Sequence, residues 1–206
     1  YQNKSDYKTA LSFHKKSMII SKEFGDNRNI GKSLNNISTV YKDLGQYNKA
    51  LKYLKLSWEL QKEVDDAREK AVILNNIGEV YLSQGKYDEA LRSLKLSIKI
   101  KDKIGDNLAK APTFNNIGQI YYELGEPGQS LEYFERGLKT CQELGDIQGE
   151  GTTLHNISQL YEEKCDYNKA LKYLEKSLEI SQRVGNLSGQ AASLNSIGNI
   201  YHSQGK

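Results

Sequence analysis

The sequence predicts an all-α solenoid of helix-turn-helix hairpins, and three observations support this fold class. The 206-residue chain repeats itself at a shift of 40 residues without an insertion or deletion. Within each repeat, apolar residues recur at steps of three and four, the spacing of one helix face. A glycine separates the two periodic segments of most repeats. A period of 20 to 50 residues is typical of stacked repeat architectures.

A four-residue motif marks the first helix of each repeat, and its first copy is Leu34-Asn35-Asn36-Ile37. A tyrosine follows four residues after the motif, as at Tyr41. The later copies of the motif are Leu74-Asn75-Asn76-Ile77, Phe114-Asn115-Asn116-Ile117, Leu154-His155-Asn156-Ile157 and Leu194-Asn195-Ser196-Ile197. This register predicts the same helix, with the same buried face, five times.

Two helices are expected in each unit, and we call them the A helix and the B helix. Leu34, Ile37 and Tyr41 define the apolar face of the first A helix, and Gly45 ends it. The B helix that follows is expected to bury a leucine column, which consists of Leu51, Leu91, Leu131 and Leu171. Since a lone hairpin cannot bury its apolar face, the units must stack on one another.

The repeated pattern Leu-x-x-Ile/Gly-x-x-Tyr-x-x-x-Gly-x-Tyr-x-x-Ala-Leu resembles the tetratricopeptide repeat. The 40-residue form is that of Pins-type adaptors, kinesin light chains and prokaryotic multidomain signalling proteins. The resemblance implies a right-handed superhelix with the A helices lining its concave side. It also implies a protein-binding scaffold or adaptor, often in signalling, although one fold serves many unrelated pathways.

The repeat boundaries predict one array over residues 1–206, with ten helices and no strand. A lone B helix is expected first and a lone A helix last, so we expect a fragment of a longer protein. Complete units are expected at 28–64, 68–104, 108–144 and 148–184, with half units at 5–24 and 188–203.

Composition excludes several classes of protein. Charged residues make up 27% of the chain and hydrophobic residues 37%, as in a folded globular protein, and no apolar run is long enough to span a membrane. A net charge of +3 without a dense basic block argues against nucleic acid as a partner. Two lone cysteines fit a reducing compartment, and glycosylation sequons inside predicted helices, at Asn36 and Asn156, argue against secretion. We therefore expect a cytoplasmic protein.

No catalytic, metal or cofactor site is expected. The three histidines, His14, His155 and His202, fall in separate units, and none has a cysteine or carboxylate at helix spacing that would suggest a metal site or a nucleophile-base pair. The glycines follow the repeat and do not cluster into a phosphate-binding loop. We expect a binding protein rather than an enzyme.

A polar stripe on the A helices is the candidate binding site. If the apolar face packs inward, the opposite stripe carries a ladder of residues that is expected to face the groove: Asn35, Asn75, Asn115, His155 and Asn195. A second column lies beside it: Asn36, Asn76, Asn116 and Asn156. Asparagine is a poor helix former, so its recurrence needs a reason. The amides could bind the backbone of an extended peptide, or they could hydrogen-bond neighbouring helices together.

Variable positions on the same stripe are expected to give selectivity. They are Thr39, Glu79, Gln119, Gln159 and Asn199 in one column, and Lys42, Leu82, Tyr122 and Glu162 in the other. Leu82 and Tyr122 are expected to be apolar anchors. The leading hypothesis is a module that binds a peptide of a partner, or of a fused domain, in the concave groove. The alternative is a structural element that forms homo-oligomers through its uncapped ends.

Overall fold

The computed structural model describes residues 4–64, 66–107 and 109–205. This part of the chain contains ten α-helices and no strand, which confirms the predicted all-α solenoid class. The B helices are α1 Lys4–Glu23, α3 Tyr47–Val64, α5 Tyr87–Ile104, α7 Pro127–Leu144 and α9 Tyr167–Arg183. The A helices are α2 Asn27–Asp43, α4 Ala67–Ser83, α6 Lys110–Glu123, α8 Ile147–Glu163 and α10 Leu187–Ser203.

Short polar side chains cap the N-termini of four A helices. Asp26, Asp66, Asp146 and Asn186 precede A helices, and each accepts a hydrogen bond from the backbone N–H three residues later. Such capping satisfies a donor that has no partner inside the helix. The position of the capping residue therefore determines where each of these helices begins.

Left-handed backbone ends the helices at the turns. Gly45 has φ of 69°, and the corresponding residue of the fourth complete hairpin, Cys165, has φ of 54°. Glycine adopts this conformation freely, whereas another residue pays about 1–2 kcal/mol for it. The turn at Cys165 keeps the geometry of the glycine turns despite its side chain.

The chain divides into two compact units, residues 1–105 and 106–206. In the first unit, buried Ala50, Leu54, Ile73 and Val80 form an apolar cluster from α3 and α4. In the second unit, two clusters repeat this arrangement, one around Phe134, Ile157 and Leu160 and one around Ala170, Leu174 and Ile200. Each cluster joins a B helix to the A helix that follows it.

The leucine column expected to be buried is only half-buried. Leu51, Leu91, Leu131 and Leu171 all keep part of their surface exposed, so the expectation of full burial is wrong. The side chains three residues later are the buried ones, namely Leu54, Leu94, Phe134 and Leu174. Positions 50 and 54 lie one helical turn apart and face the cluster together, which leaves position 51 at its border.

Buried serines connect three of the B helices, α3, α5 and α9, to the A helices before them. Ser57 Oγ donates to the carbonyl of Gly31 at 3.0 Å, Ser97 Oγ to that of Ala71 at 2.7 Å and Ser177 Oγ to that of Gly151 at 2.8 Å. The third complete hairpin has Gly137 at this position. A Cβ atom added there would lie 2.8 Å from Asn115 Oδ1, so the asparagine side chain occupies the space of the missing serine.

Candidate functional site

The predicted groove stripe is not uniformly exposed. Asn35 is 8% exposed, whereas Asn195 and Asn199 are exposed. In the neighbouring column, Asn36 is exposed but Asn76 is partly buried. Half-buried positions make up the rest of the stripe on α4, α6 and α8: Asn75, Glu79, Leu82, Asn115, Asn116, Gln119, Tyr122, His155, Asn156, Gln159 and Glu162. Position on the stripe alone therefore does not determine access to a ligand.

Asn35 bonds to the next A helix. Asn76 Nδ2 on α4 donates to Asn35 Oδ1 on α2 at 2.8 Å. The backbone carbonyl of Asn35 also accepts from the hydroxyls of Ser38 and Thr39. The hydrogen bond between the two side chains is the inter-helix contact that the sequence left open as the alternative to peptide binding.

Asn75 belongs to a different network, although it occupies the same column as Asn35. Its Nδ2 donates to Glu79 Oε1 at 2.8 Å, one turn along α4. Lys42 Nζ on α2 forms an ion pair with the other carboxylate oxygen of Glu79 at 2.5 Å. Because the side chains of Lys42 and Glu79 are 24% and 27% exposed, the pair is screened less than a surface ion pair.

Asn115 connects α6 to α8 in the second unit. Its Nδ2 donates to Thr153 Oγ1 at 2.8 Å, and the same hydroxyl lies 3.1 Å from Asn115 Oδ1. Further along α6, Gln119 Nε2 donates to Glu123 Oε1 at 2.8 Å. In these two places the amide groups bond to protein atoms, and their peptide-binding role stays a prediction.

Tyr122 also has a polar partner. The pKa of its hydroxyl is raised to about 12, mainly by burial and in addition by a hydrogen bond with Glu163 and the charges of nearby carboxylates. The ring packs against the cluster around Phe134. Tyr122 therefore contributes to the core as well as to the stripe, and its use as an apolar anchor for a ligand stays a prediction.

His155 differs from the asparagines in its column. Burial lowers the pKa of its imidazole, so the ring is neutral at neutral pH. Its Nδ1 atom is buried and has no hydrogen-bond partner. Ser193 on α10, which is equivalent to Thr153, bonds instead to Ser177 at 3.3 Å. The described contact between α8 and α10 thus lacks the hydrogen bond between two side-chain amides that joins α2 to α4.

A cavity of about 230 Å³ lies beside His155, between α8, α9 and α10. Its walls include Thr152 and Ile180, with the small residues Ser181 and Gly189. The sequence analysis missed this cavity. The sequence feature that indicates the cavity is a decrease in side-chain size. Gln61 and Glu69 of the first unit are replaced by serine and glycine at the equivalent positions, 181 and 189.

The described residues contain neither a metal-binding cluster nor a membrane-spanning helix. No group of three or more His, Cys, Asp or Glu side chains there could hold a metal ion. None of the helices in this part of the chain is long and apolar enough to cross a bilayer.

The fold and the polar stripe together define the class of the protein, an α-solenoid of two-helix repeats. A sequence model of the tetratricopeptide repeat matches residues 1–63, 69–143 and 149–206. The chain therefore belongs to the tetratricopeptide repeat family, as the motif predicted. No curated protein sequence matches it significantly.

Solved structures with a similar fold come from different proteins. BtubC from P. vanneervenii superposes with a TM-score of 0.82 and 19% identity, over 97% of this chain and 84% of that one. A signal transduction ATPase with numerous domains and a tetratricopeptide repeat sensor, from Pyrococcus horikoshii, gives 0.73 and 20%, over 89% and 31%. A Rap protein complexed with Competence and Sporulation Factor gives 0.69 and 17%, over 96% and 59%.

The lengths and identities limit what these likenesses show. This chain spans about a third of the ATPase chain and over half of the Rap chain. At identities of 17–20%, the likeness shows a shared fold. Function depends on the site that each protein builds on that fold.

Proposed function

We propose that the chain is a protein-interaction module that binds an extended peptide segment along its A helices. The segment belongs to a partner protein or to a domain fused to the array, which the array regulates or localises. The observation that carries this proposal is the polar stripe on α8. Ile157 and Leu160 are buried there, while Asn156, Gln159 and Glu162 on the same helix stay partly accessible. The amides of Asn156 and Gln159 offer both a donor and an acceptor to a peptide backbone, and the carboxylate of Glu162 offers acceptors.

In this proposal the polar residues of the stripe have two roles, one in holding adjacent A helices together and one in binding the ligand backbone. Asn35 and Asn115 bond to the next A helix, so they keep adjacent A helices in place. The accessible amides of Asn156, Gln159, Asn195 and Asn199 contact the ligand backbone. A solved protein of this fold holds Competence and Sporulation Factor, which supports the use of such a solenoid as a receptor.

The chemistry of the stripe favours a polypeptide ligand over nucleic acid or a membrane surface. The stripe carries amides and carboxylates, with few basic groups to neutralise phosphates. In this proposal the described residues catalyse no reaction, and the array acts in the cytoplasm as a single scaffold over residues 1–206.

A binding experiment with matched variants tests this function. A peptide is selected from a random-sequence peptide library on the full chain, and its affinity is measured by calorimetry. The double variant Asn156→Ala, Gln159→Ala should bind about five- to a hundredfold more weakly, since each lost hydrogen bond contributes about 0.5–1.5 kcal/mol. The control is Lys172→Ala, Lys176→Ala on the exposed face of α9. Equal losses in the two variants would overturn the assignment of the stripe.

Homo-oligomerisation is the second candidate function. Large apolar side chains are exposed on α1, directly after it and on α10, among them Phe24 at 82% and Leu187 at 77%. Contiguous exposed apolar surface favours association. Light scattering over a range of concentrations tests it, because a monomer at every concentration contradicts self-association. Replacing Phe13 and Phe24 by serine should reduce any association that is observed.

A further inference from the structure

The second unit differs from the first at three positions near His155, and two of them line the cavity with smaller side chains. Gln61 is fully buried in the first unit, and a Cβ atom added to Gly31 would lie 2.6 Å from its Nε2. At the positions 120 residues later, Ser181 replaces this glutamine and Gly189 replaces Glu69. The side chain that fills the first junction is therefore absent from the second.

The third change removes a hydrogen-bond partner. Asn76 reaches Asn35 in the first unit, whereas Ser196 stands at the equivalent position opposite His155. Serine is shorter than asparagine and has no amide. His155 Nδ1 accordingly has no partner among the described residues, and His155 is one of the residues that line the cavity.

The walls of this cavity select an uncharged ligand. No charged side chain lines it. One part is apolar, with Ile180, Val184 and Ala192, and the rest carries hydroxyl and amide groups such as those of Thr152 and Gln148. A hydrocarbon alone would leave these polar groups without partners, and a charged group would lose its hydration without a counter-charge. An occupant with an apolar body and one hydroxyl satisfies both parts.

The volume limits the occupant to one side chain. A cavity of about 150 Å³ holds benzene, and drug-sized ligands occupy about 300–1,000 Å³. The cavity here, of about 230 Å³, lies between these values. A phenol ring fits this interval, and its hydroxyl can both donate and accept a hydrogen bond.

We propose that the cavity between α8, α9 and α10 receives a tyrosine side chain of the bound peptide, with its ring against Ile180 and Val184 and its hydroxyl beside His155. This inference rests on the proposed peptide-binding function. It adds a specificity pocket to a stripe that otherwise recognises backbone. Since His155 belongs to the A-helix stripe and also lines the pocket, the pocket lies next to the backbone-binding residues.

The first experiment uses p-cresol, the side-chain analogue of tyrosine, and needs no peptide. Backbone amide signals of the full chain are followed by NMR during titration. We expect shifts at Gly151, Gly189 and Ser193, with binding about two- to tenfold tighter than that of toluene, which lacks the hydroxyl. The anion 4-methylbenzoate should cause no shifts there. Absence of p-cresol binding, or equal binding of toluene, would overturn the assignment.

Variants that fill the cavity make the result specific. Ser181→Gln introduces the glutamine of the first unit and should abolish the p-cresol shifts. Ser21→Gln, at the equivalent position of α1, is the matched control and should leave them unchanged. Ala192→Leu, at an exposed wall position of α10, is a second filling variant if Ser181→Gln does not fold. Binding that survives in a folded filling variant contradicts the proposed location.

The second experiment separates this pocket from the proposed function. Peptides selected on the wild-type chain should contain a tyrosine whose change to phenylalanine weakens binding about two- to tenfold. In the Ser181→Gln variant the two peptides should bind equally. If selected peptides bind through Asn156 and Gln159 without any preference for tyrosine, the pocket assignment fails while the module function stands. If p-cresol binds but no peptide does, the module function fails.

Discussion

The α2–α4 junction and the α8–α10 junction have the same backbone plan but different polar interiors. In the first, Gln61 fills the space beside Gly31, and Asn76 bonds to Asn35. In the second, Ser181 and Ser196 stand at the equivalent positions, and a cavity lined by Ser181 lies beside His155. The apolar layers of the two junctions are alike, since Leu54 and Leu174 are both fully buried.

This difference shows how a repeat protein can vary its binding properties without changing its fold. The apolar positions fix the stacking of the helices, because every hairpin must bury the same face. The polar positions between adjacent A helices can then change from a closed contact to an open pocket. The apolar residues therefore determine how the helices stack, and the polar residues between A helices determine whether a pocket is present.

The largest expected effect tests whether the apolar layers are equivalent. Leu54→Ala and Leu174→Ala should each lower the free energy of unfolding by about 2–5 kcal/mol, since both remove a fully buried leucine. Denaturant unfolding measures both. Leu171→Ala is the control and should cost clearly less because Leu171 is half-exposed. Unequal costs at Leu54 and Leu174 would show that the junctions also differ in their apolar layer.

A smaller effect should distinguish the two ladder residues. Asn35→Ala removes a hydrogen bond to the next A helix, whereas His155→Ala removes a side chain whose Nδ1 has no partner. Both variants gain similar helix propensity. The loss of unfolding free energy should thus be about 0.5–1.5 kcal/mol greater for Asn35→Ala. If thermal or denaturant unfolding shows equal losses, the bond between Asn35 and Asn76 contributes little.

The first junction should lose stability as the pH rises. Burial raises the pKa of Glu69 above its ordinary value of 4.5, and nearby Asp66 adds to this effect, although Lys32 and Arg28 oppose it. Below pH 4.5 the carboxyl is protonated in both states. As the pH rises through the window above 4.5, the unfolded chain releases its proton first, so folding becomes less favourable. Glu69→Gln should remove this component from a series of unfolding curves, and an unchanged pH profile would contradict it.

The second junction should behave in the opposite sense. Burial lowers the pKa of His155 below its ordinary value of 6.5. The contribution to stability is complete above pH 6.5 and is lost as the pH falls below it, because the unfolded chain binds the proton first. His155→Asn, which introduces the asparagine of the column, should make the unfolding free energy less dependent on pH between about 5 and 7. A profile unchanged by this variant would place the imidazole in solvent.

The sequence predicted the fold well because the fold depends on positions that repeat. The described residues form ten helices and no strand, as the repeated motif predicts. The motif could not show that Leu51 is only half-buried, because burial at the edge of a helix face depends on the angle at which the neighbouring helix packs. That angle is a property of the assembled hairpin.

The polar site was less predictable, and the asparagine column shows the reason. Asn35 and Asn75 occupy equivalent positions, but one bonds to Asn76 and the other to Glu79. The partner is set by residues on a neighbouring helix or one turn away, and these vary between repeats. The cavity at Ser181 and Gly189 likewise follows from residue size at two positions that meet only after packing. A comparison of side-chain volume along each column could have indicated it.

The hydrogen bonds between helices also bear on how the chain folds. The bonds of Ser57 and Ser177 span 26 residues, and those that join adjacent A helices span 37, 38 and 41 residues. Such bonds close short loops, so the entropy lost on forming each of them is modest. Chains dominated by contacts close in sequence fold quickly, and in a repeat array folding can begin at any hairpin and spread to its neighbours. The serines that connect the two helices of three hairpins thus also favour rapid folding from several starting points.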